Sequence, residues 1–124
     1  MEKTVCEEMQ IKRKLGYHFI VDAYTEDKSL LEDVDLVSKA LTDAADAAEA
    51  TKIGLKMHKF SPHGLTGILL LAESHISIHT WPEHNYIAMD IFTCGKDPTR
   101  ALEHLKNALK INRIYFRNLD RGMF

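Results

Sequence analysis

Two consecutive strand patterns occur in Gly67-Ile68-Leu69-Leu70-Leu71-Ala72-Glu73-Ser74-His75-Ile76-Ser77-Ile78-His79-Thr80-Trp81-Pro82. Its first part, residues 67–72, is a short apolar run typical of a central β-strand. Its second part alternates, so that two isoleucines share one face of a strand and three polar side chains share the other: His75, Ser77 and His79. Trp81-Pro82 ends this strand, because proline cannot donate to the ladder. We therefore predict two strands, the second of which presents polar side chains on one surface.

The same alternation predicts further strands at residues 17–24, 53–60, 87–91 and 113–119. A helix is predicted after Asp33, an N-cap residue, because apolar side chains then recur at three- and four-residue steps. A second helix follows Asp97-Pro98, which supply an N-cap and a first-turn proline. The order strand, helix, three or four strands, helix, strand predicts an α+β fold. We expect a two-layer α/β sandwich with two helices on one face of a largely antiparallel sheet.

Composition restricts the classes of protein to which the chain can belong. Its 124 residues, 45% of them hydrophobic, suffice for one core and are too few for two. With 16 Lys+Arg against 18 Asp+Glu, the net charge of -2 gives no basic surface for nucleic acid. No apolar run approaches the roughly twenty residues of a membrane span, which predicts a soluble, cytoplasmic protein. We expect residues 1–13 to form a charged N-terminal leader and residues 14–124 a single domain.

Histidines and a cysteine lie close in sequence to the strand that presents the polar surface. Five of the seven histidines lie between His58 and His84, and Cys94 follows in an apolar, strand-like segment. A metal site is one interpretation, but the segment has neither paired cysteines nor the HExxH pattern that would supply two helical ligands. We therefore expect no metal, and prefer structural or catalytic histidines. Cys6 and Cys94 are both expected to be free thiols, because two cysteines do not make the framework of a small secreted fold.

Three segments resemble the small prokaryotic S-adenosylmethionine decarboxylases, which make a pyruvoyl cofactor from an internal serine. They are His58-Lys59-Phe60-Ser61-Pro62, the block from Glu73 to Glu83, and Phe92-Thr93-Cys94-Gly95. The resemblance covers nearly all of the chain, from Leu15-Gly16 through Arg121-Gly122. It implies a proenzyme that cleaves itself between Glu73 and Ser74 into a beta chain, residues 1–73, and an alpha chain, residues 74–124.

The resemblance implies roles whose chemistry suits the side chains. Ser74 would be the pyruvoyl precursor: its hydroxyl attacks the Glu73 carbonyl, and loss of the Ser74 α-proton then releases the ester. His79 would be the processing base, since an imidazole is largely neutral near pH 7. Cys94 would donate the proton that completes the decarboxylation. Thr66 stands where some relatives have a serine that assists processing, and it keeps the hydroxyl.

The implied reaction is pyruvoyl-dependent decarboxylation of S-adenosylmethionine, whose product supplies aminopropyl groups for spermidine. An adenosyl sulfonium needs an aromatic surface for its base and a carboxylate for its ribose, and Phe60, Trp81 and Glu83 are expected to supply them. The resemblance also implies a symmetric homodimer of cleaved protomers, with a site shared between subunits. Three alternatives remain open: a pyruvoyl-dependent arginine decarboxylase, a histidine-cluster metal-binding protein and a non-catalytic partner protein.

Overall fold

The structure is a computed structural model and describes residues 15–94 and 97–122. Within these residues, strands and α-helices follow in the order β1, α1, β2, β3, β4, β5, α2, β6. The strands are β1 (Gly16–Thr25), β2 (Lys52–Lys59), β3 (Leu65–Leu71), β4 (Ser74–Trp81), β5 (Tyr86–Thr93) and β6 (Ile111–Arg121). The helices are α1 (Val34–Ala47) and α2 (Thr99–Ala108), and short 3-10 turns lie at Lys28–Glu32 and Pro82–His84. The predicted leader, residues 1–13, lies outside the described residues.

All the described strands belong to one sheet, in the order β2-β3-β4-β5-β1-β6. Every neighbouring pair is antiparallel, as the sequence predicts. The two strands predicted within residues 67–82 are β3 and β4, and they form a hairpin. Leu71 lies opposite Ser74, so only Ala72 and Glu73 make the turn. This register puts β4 inside the sheet, between β3 and β5, with Ser74 at one end and Trp81 at the other.

The two helices cover one face of the sheet, which confirms the predicted two-layer sandwich. The fully buried Leu41 of α1 and Leu105 of α2 lie in one core cluster with alternate side chains of the sheet. Burial of each such leucine contributes roughly 1.5–3 kcal/mol. Asp33 caps α1 as predicted, because its side chain accepts the backbone N–H of Leu36 at 3.0 Å. The second helix begins one residue later than predicted, at Thr99, with Pro98 as its N-cap.

The opposite face of the sheet has no helix over it among the described residues. It carries exposed apolar side chains on β1 and β3, with Ile20 43%, Ile68 46% and Leu70 50% exposed. Trp81 adds an aromatic ring that is 41% exposed. A patch of this kind is typical of a surface that binds another molecule. No helix in the described part of the chain is long and apolar enough to cross a membrane.

Candidate active site

The predicted cleavage position lies at the tightest bend of the sheet. Glu73 is the second residue of the two-residue β3–β4 turn, and Ser74 begins β4. The φ angle of Ser74 is 151°, a region that residues other than glycine rarely adopt. Such a conformation costs on the order of 1–3 kcal/mol and persists only where the surrounding structure imposes it. The Glu73-Ser74 peptide bond is thus held in a strained backbone.

Glu73 is anchored by Thr51, which lies immediately before β2. The Glu73 side chain is buried, with only 4% of the residue exposed. One carboxylate oxygen accepts the backbone N–H of Thr51 at 2.9 Å, and the other accepts the Thr51 hydroxyl at 3.2 Å. The backbone carbonyl of Thr51 in turn accepts the N–H of Ala72 at 2.9 Å. Both turn residues are therefore tied to the chain segment that precedes β2.

His75 has the imidazole next to the Ser74 hydroxyl. Its Nδ1 lies 3.3 Å from Ser74 Oγ, and its ring meets the Phe92 ring edge-on at a centroid distance of 5.8 Å. The sequence places His75 on the polar surface of β4 but assigns it no role. By contrast, His79 lies five residues after Ser74 on the same strand. At about 3.3 Å per residue, this separates His79 from Ser74 by roughly 16 Å.

His79 and Thr66 contact each other, as their predicted shared role in processing requires. Thr66 is directly opposite His79 in the β3–β4 register, and Thr66 Oγ1 lies 2.9 Å from His79 Nδ1. Because this hydrogen bond occupies Nδ1, the other ring nitrogen of His79 is left for a reacting group. The two residues form a unit on the uncovered face, at the opposite end of β4 from Ser74.

The predicted substrate-binding residues lie beside that pair. They line a cleft of about 380 Å³ whose walls are Phe60, His63, Leu65, Thr66, His79, Thr80, Trp81 and Glu83. The Trp81 ring stacks on Tyr86 at a centroid distance of 5.3 Å. The Tyr86 phenol donates a hydrogen bond to Asp22, and burial together with this bond raises the pKa of Tyr86 to about 12. The cleft thus offers an aromatic surface and a carboxylate together.

Glu32 shapes this cleft, although the sequence gives no signal for it. It accepts the backbone N–H of Gly64 at 2.9 Å and the Lys59 ammonium at 3.1 Å. These donors hold the pKa of the Glu32 carboxyl below its usual range, the Gly64 N–H most of all. Gly64 adopts a φ of +92°, and a Cβ there would lie 2.6 Å from the Thr80 carbonyl oxygen. Glu32 thereby fixes the β2–β3 loop that carries Phe60.

Cys94 lies at the Ser74 end of the sheet. The β4–β5 pairing ends with His75 opposite Phe92, so Cys94, two residues after Phe92, follows β5 at this end of β4. Cys94 is buried, with 5% exposure. It is also disulfide-bonded, so the expectation that both cysteines are free thiols is wrong for Cys94 in this structure. Cys6, the one other cysteine of the sequence, lies outside the described residues.

The histidines that suggested a metal do not converge in the described structure. Across residues 15–94 and 97–122, no group of three or more His, Cys, Asp or Glu side chains is arranged to hold an ion. His75 and His79 lie on one strand face as predicted, but they contact Phe92 and Thr66 respectively. These two histidines therefore have local partners.

Comparison with known proteins gives one consistent result. The family model for S-adenosylmethionine decarboxylase matches residues 17–122. The S-adenosylmethionine decarboxylase proenzyme of Thermotoga maritima is 40% identical over 114 residues, which are 90% of this chain and 88% of that protein. The proenzyme of Methanococcus vannielii is 45% identical over 113 residues, which are 90% of this chain and 93% of that protein.

A solved structure agrees with the sequence comparisons. The crystal structure of the adenosylmethionine decarboxylase from Aquifex aeolicus superposes with a TM-score of 0.85 at 38% identity, over 91% of this chain and 95% of that one. Sequence and fold thus match over nearly the whole length of the described domain. The chain belongs to the S-adenosylmethionine decarboxylase family.

Proposed function

We propose that the chain is a proenzyme that cleaves itself between Glu73 and Ser74 and then decarboxylates S-adenosylmethionine to S-adenosylmethioninamine and carbon dioxide. The observation that carries the proposal is the strained Ser74, with its φ of 151°, at the bond that the family resemblance implies is cut. Family membership supports the substrate, because the relatives are named for it. Cytoplasmic location stays a prediction from the sequence.

Cleavage needs only groups that the chain itself supplies, together with water. Ser74 Oγ bonds to the Glu73 carbonyl carbon as the C–N bond breaks, and the proton of the hydroxyl passes to the Ser74 nitrogen. Removal of the Ser74 α-proton by His79 then expels the backbone carboxylate of Glu73 and leaves dehydroalanine. Water hydrolyses this to a pyruvoyl group and ammonia. Thr66 orients the His79 ring through the 2.9 Å contact.

We further propose that the site is completed by a second copy of the chain. Within one protomer, about 16 Å of strand separates Ser74 from His79, which is too far for proton transfer. A twofold axis across the uncovered sheet faces would bring Ser74 of one protomer to Thr66 and His79 of the other. The exposed Ile20, Ile68 and Leu70 on that face support such a dimer.

A pyruvoyl group at position 74 fits its surroundings and supplies a ketone that takes up the electrons released with carbon dioxide. His75 Nδ1, 3.3 Å from Ser74 Oγ, would border it. Cys94 Sγ–H would donate a proton to the α-carbon of the product, which requires the reduced thiol. Because the structure has Cys94 in a disulfide, turnover should depend on its reduction, whereas cleavage should not.

The cleft at the other end of β4 suits the adenosyl group. Its aromatic walls, Phe60 and Trp81, can stack on the base, and Glu83 can accept hydrogen bonds from ribose hydroxyls. Arginine has no base or ribose to fill such a cleft. The family findings and the aromatic lining both favour the nucleoside substrate over arginine, and the enzyme over a metal-binding or non-catalytic protein.

The test is the intact mass of the purified protein, followed by carbon dioxide release. We expect fragments 1–73 and 74–124, with the second lighter than a serine-ended chain by the mass of ammonia. Ser74→Ala should stay uncut and inactive, while Ser77→Ala, three residues along the same strand, should be cut. Carbon dioxide should come from S-adenosylmethionine and not from arginine. An uncut wild-type chain after long incubation, or release only from arginine, would contradict the proposal.

A further inference from the structure

The side chain of Glu73 takes no part in the chemistry described so far, which uses only its backbone carbonyl. Yet this carboxylate is nearly fully buried, with both oxygens bonded to Thr51. Burying a carboxylate is costly unless its oxygens are satisfied. The chain thus keeps a buried carboxylate, with both oxygens hydrogen-bonded, at the residue that immediately precedes the proposed cleavage bond.

Thr51 holds the β3–β4 turn from one side. Its N–H and hydroxyl hold the Glu73 side chain, and its carbonyl accepts the N–H of Ala72 at 2.9 Å. The β3–β4 ladder holds the other side, through the pairing of Leu71 with Ser74. Glu73 therefore has little freedom to rotate, and the strain at Ser74 cannot relax by a movement of the turn.

We infer that Thr51 is a positioning residue for self-cleavage, which holds Glu73 so that its carbonyl carbon stays within reach of the Ser74 hydroxyl. This inference rests on the proposed cleavage at Glu73-Ser74. Attack of Ser74 Oγ passes through a five-membered ring, so it depends on the torsions on both sides of the scissile bond. In this step the Oγ–C bond forms, the C–N bond breaks, and the hydroxyl proton passes to the nitrogen. Thr51 exchanges no proton and fixes only the geometry.

The experiment measures the rate of cleavage by intact mass in freshly purified variants. Glu73→Ala removes the whole anchor and should slow cleavage about a hundredfold, whereas Thr51→Val removes one hydrogen bond and should slow it about tenfold. Thr51→Ser keeps the hydroxyl and should be cleaved at the wild-type rate. Thr42→Val is the matched control, because the Thr42 hydroxyl also donates a hydrogen bond, but to backbone carbonyls within α1.

A second measurement separates positioning from mere stabilisation. Once Thr51→Val has been fully cleaved, its decarboxylation rate per pyruvoyl group should equal that of the wild type, and its melting temperature should match that of Thr42→Val. Cleavage of Thr51→Val and Glu73→Ala at the wild-type rate, or equal slowing in Thr42→Val, would overturn the inference. If Glu73→Ala does not fold, the Thr51→Val and Thr51→Ser pair decides. An uncut wild-type chain would instead refute the proposed function.

Discussion

At one end of strand β4 the backbone is strained and its side chains are tied down, whereas at the other end the strand is regular and borders an open cleft. Ser74, with a φ of 151°, and the anchored Glu73 make the serine end. His79, bonded to Thr66, and the cleft beside Trp81 make the histidine end. In the proposed function, the first holds the bond that is cut, and the second holds the base and the binding surface. In the proposed mechanism, each chain thus carries two half-sites that a second chain brings together.

This difference shows how a small domain can place two parts of a site at opposite ends of one strand. Residues 15–94 and 97–122 form one sheet with one uncovered face, on which the proposed half-sites both lie. Placing them at opposite ends of a central strand lets a twofold axis create two identical complete sites. Rigidity is needed where the backbone reacts, and access is needed where a substrate enters. The structure separates these requirements along β4.

The largest effect should come from the base at the histidine end. His79→Gln should slow cleavage by about 10²–10⁴, because the Ser74 α-proton loses its acceptor. His84→Gln, an exposed histidine next to the cleft residues, should be cleaved normally. Thr66→Val should slow cleavage less than His79→Gln does, and Thr66→Ser should match the wild type. Fragment formation over time measures all four, and normal cleavage of His79→Gln would contradict its role.

At the serine end, Cys94 should affect turnover and leave cleavage intact. Cys94→Ala should form both fragments at the wild-type rate but release product about a hundredfold more slowly, since protonation at carbon loses its donor. A reductant should raise the turnover of the wild type and have no effect on Cys94→Ala. Cleavage and carbon dioxide release, measured with and without reductant, separate the two steps. Full turnover by Cys94→Ala would exclude the thiol as donor.

A smaller effect is expected from the aromatic wall of the cleft. Trp81→Ala should be cleaved normally and should raise KM for S-adenosylmethionine about tenfold, because one stacking surface for the base is lost. Phe116→Ala removes an aromatic ring that is 50% exposed on the edge strand and should leave KM unchanged. Steady-state kinetics on both variants decides this. An unchanged KM in Trp81→Ala would assign the ring to packing on Tyr86.

The smallest effect concerns the Glu32 anchor of the β2–β3 loop and its dependence on pH. The folded protein holds the pKa of Glu32 below its usual range, so its contribution to stability is complete above the ordinary glutamate value of about 4.3. The contribution is lost as the pH falls through the lower folded value. Glu32→Gln should therefore melt slightly below the wild type at pH 6, and the gap should close in acid. A melting-temperature difference that stays constant across this pH range would show that the charge of Glu32 does not stabilise the fold.

Much of the fold could be predicted from the sequence, because local patterns determine it. Alternation located the strands, and Asp33 marked the start of α1 through a contact only three residues away. The second helix differed by one residue, since Asp97 still accepts the Thr99 N–H at 2.9 Å while Pro98 takes the N-cap position. Such short-range interactions leave a clear signal in the chain.

The missed features depend on residues that are distant in sequence. Thr51 and Glu73 are 22 positions apart, and Glu32 and Gly64 are 32 apart, so no local pattern marks either contact. The disulfide at Cys94 was missed because cysteine count alone does not fix pairing. The distance between Ser74 and His79 follows from strand geometry. It could be calculated only once the structure showed that β4 runs unbroken between the two residues.

Co-expression of Ser74→Ala with His79→Ala tests whether each site is completed by two chains, as we propose. Neither variant alone has both groups, so each should remain uncut. In a mixed dimer, Ser74 of the His79→Ala chain meets His79 of the Ser74→Ala chain. Intact mass should then reveal the two fragments of the His79→Ala chain alone. If mixed dimers form and the His79→Ala chain stays uncut, the shared site is contradicted.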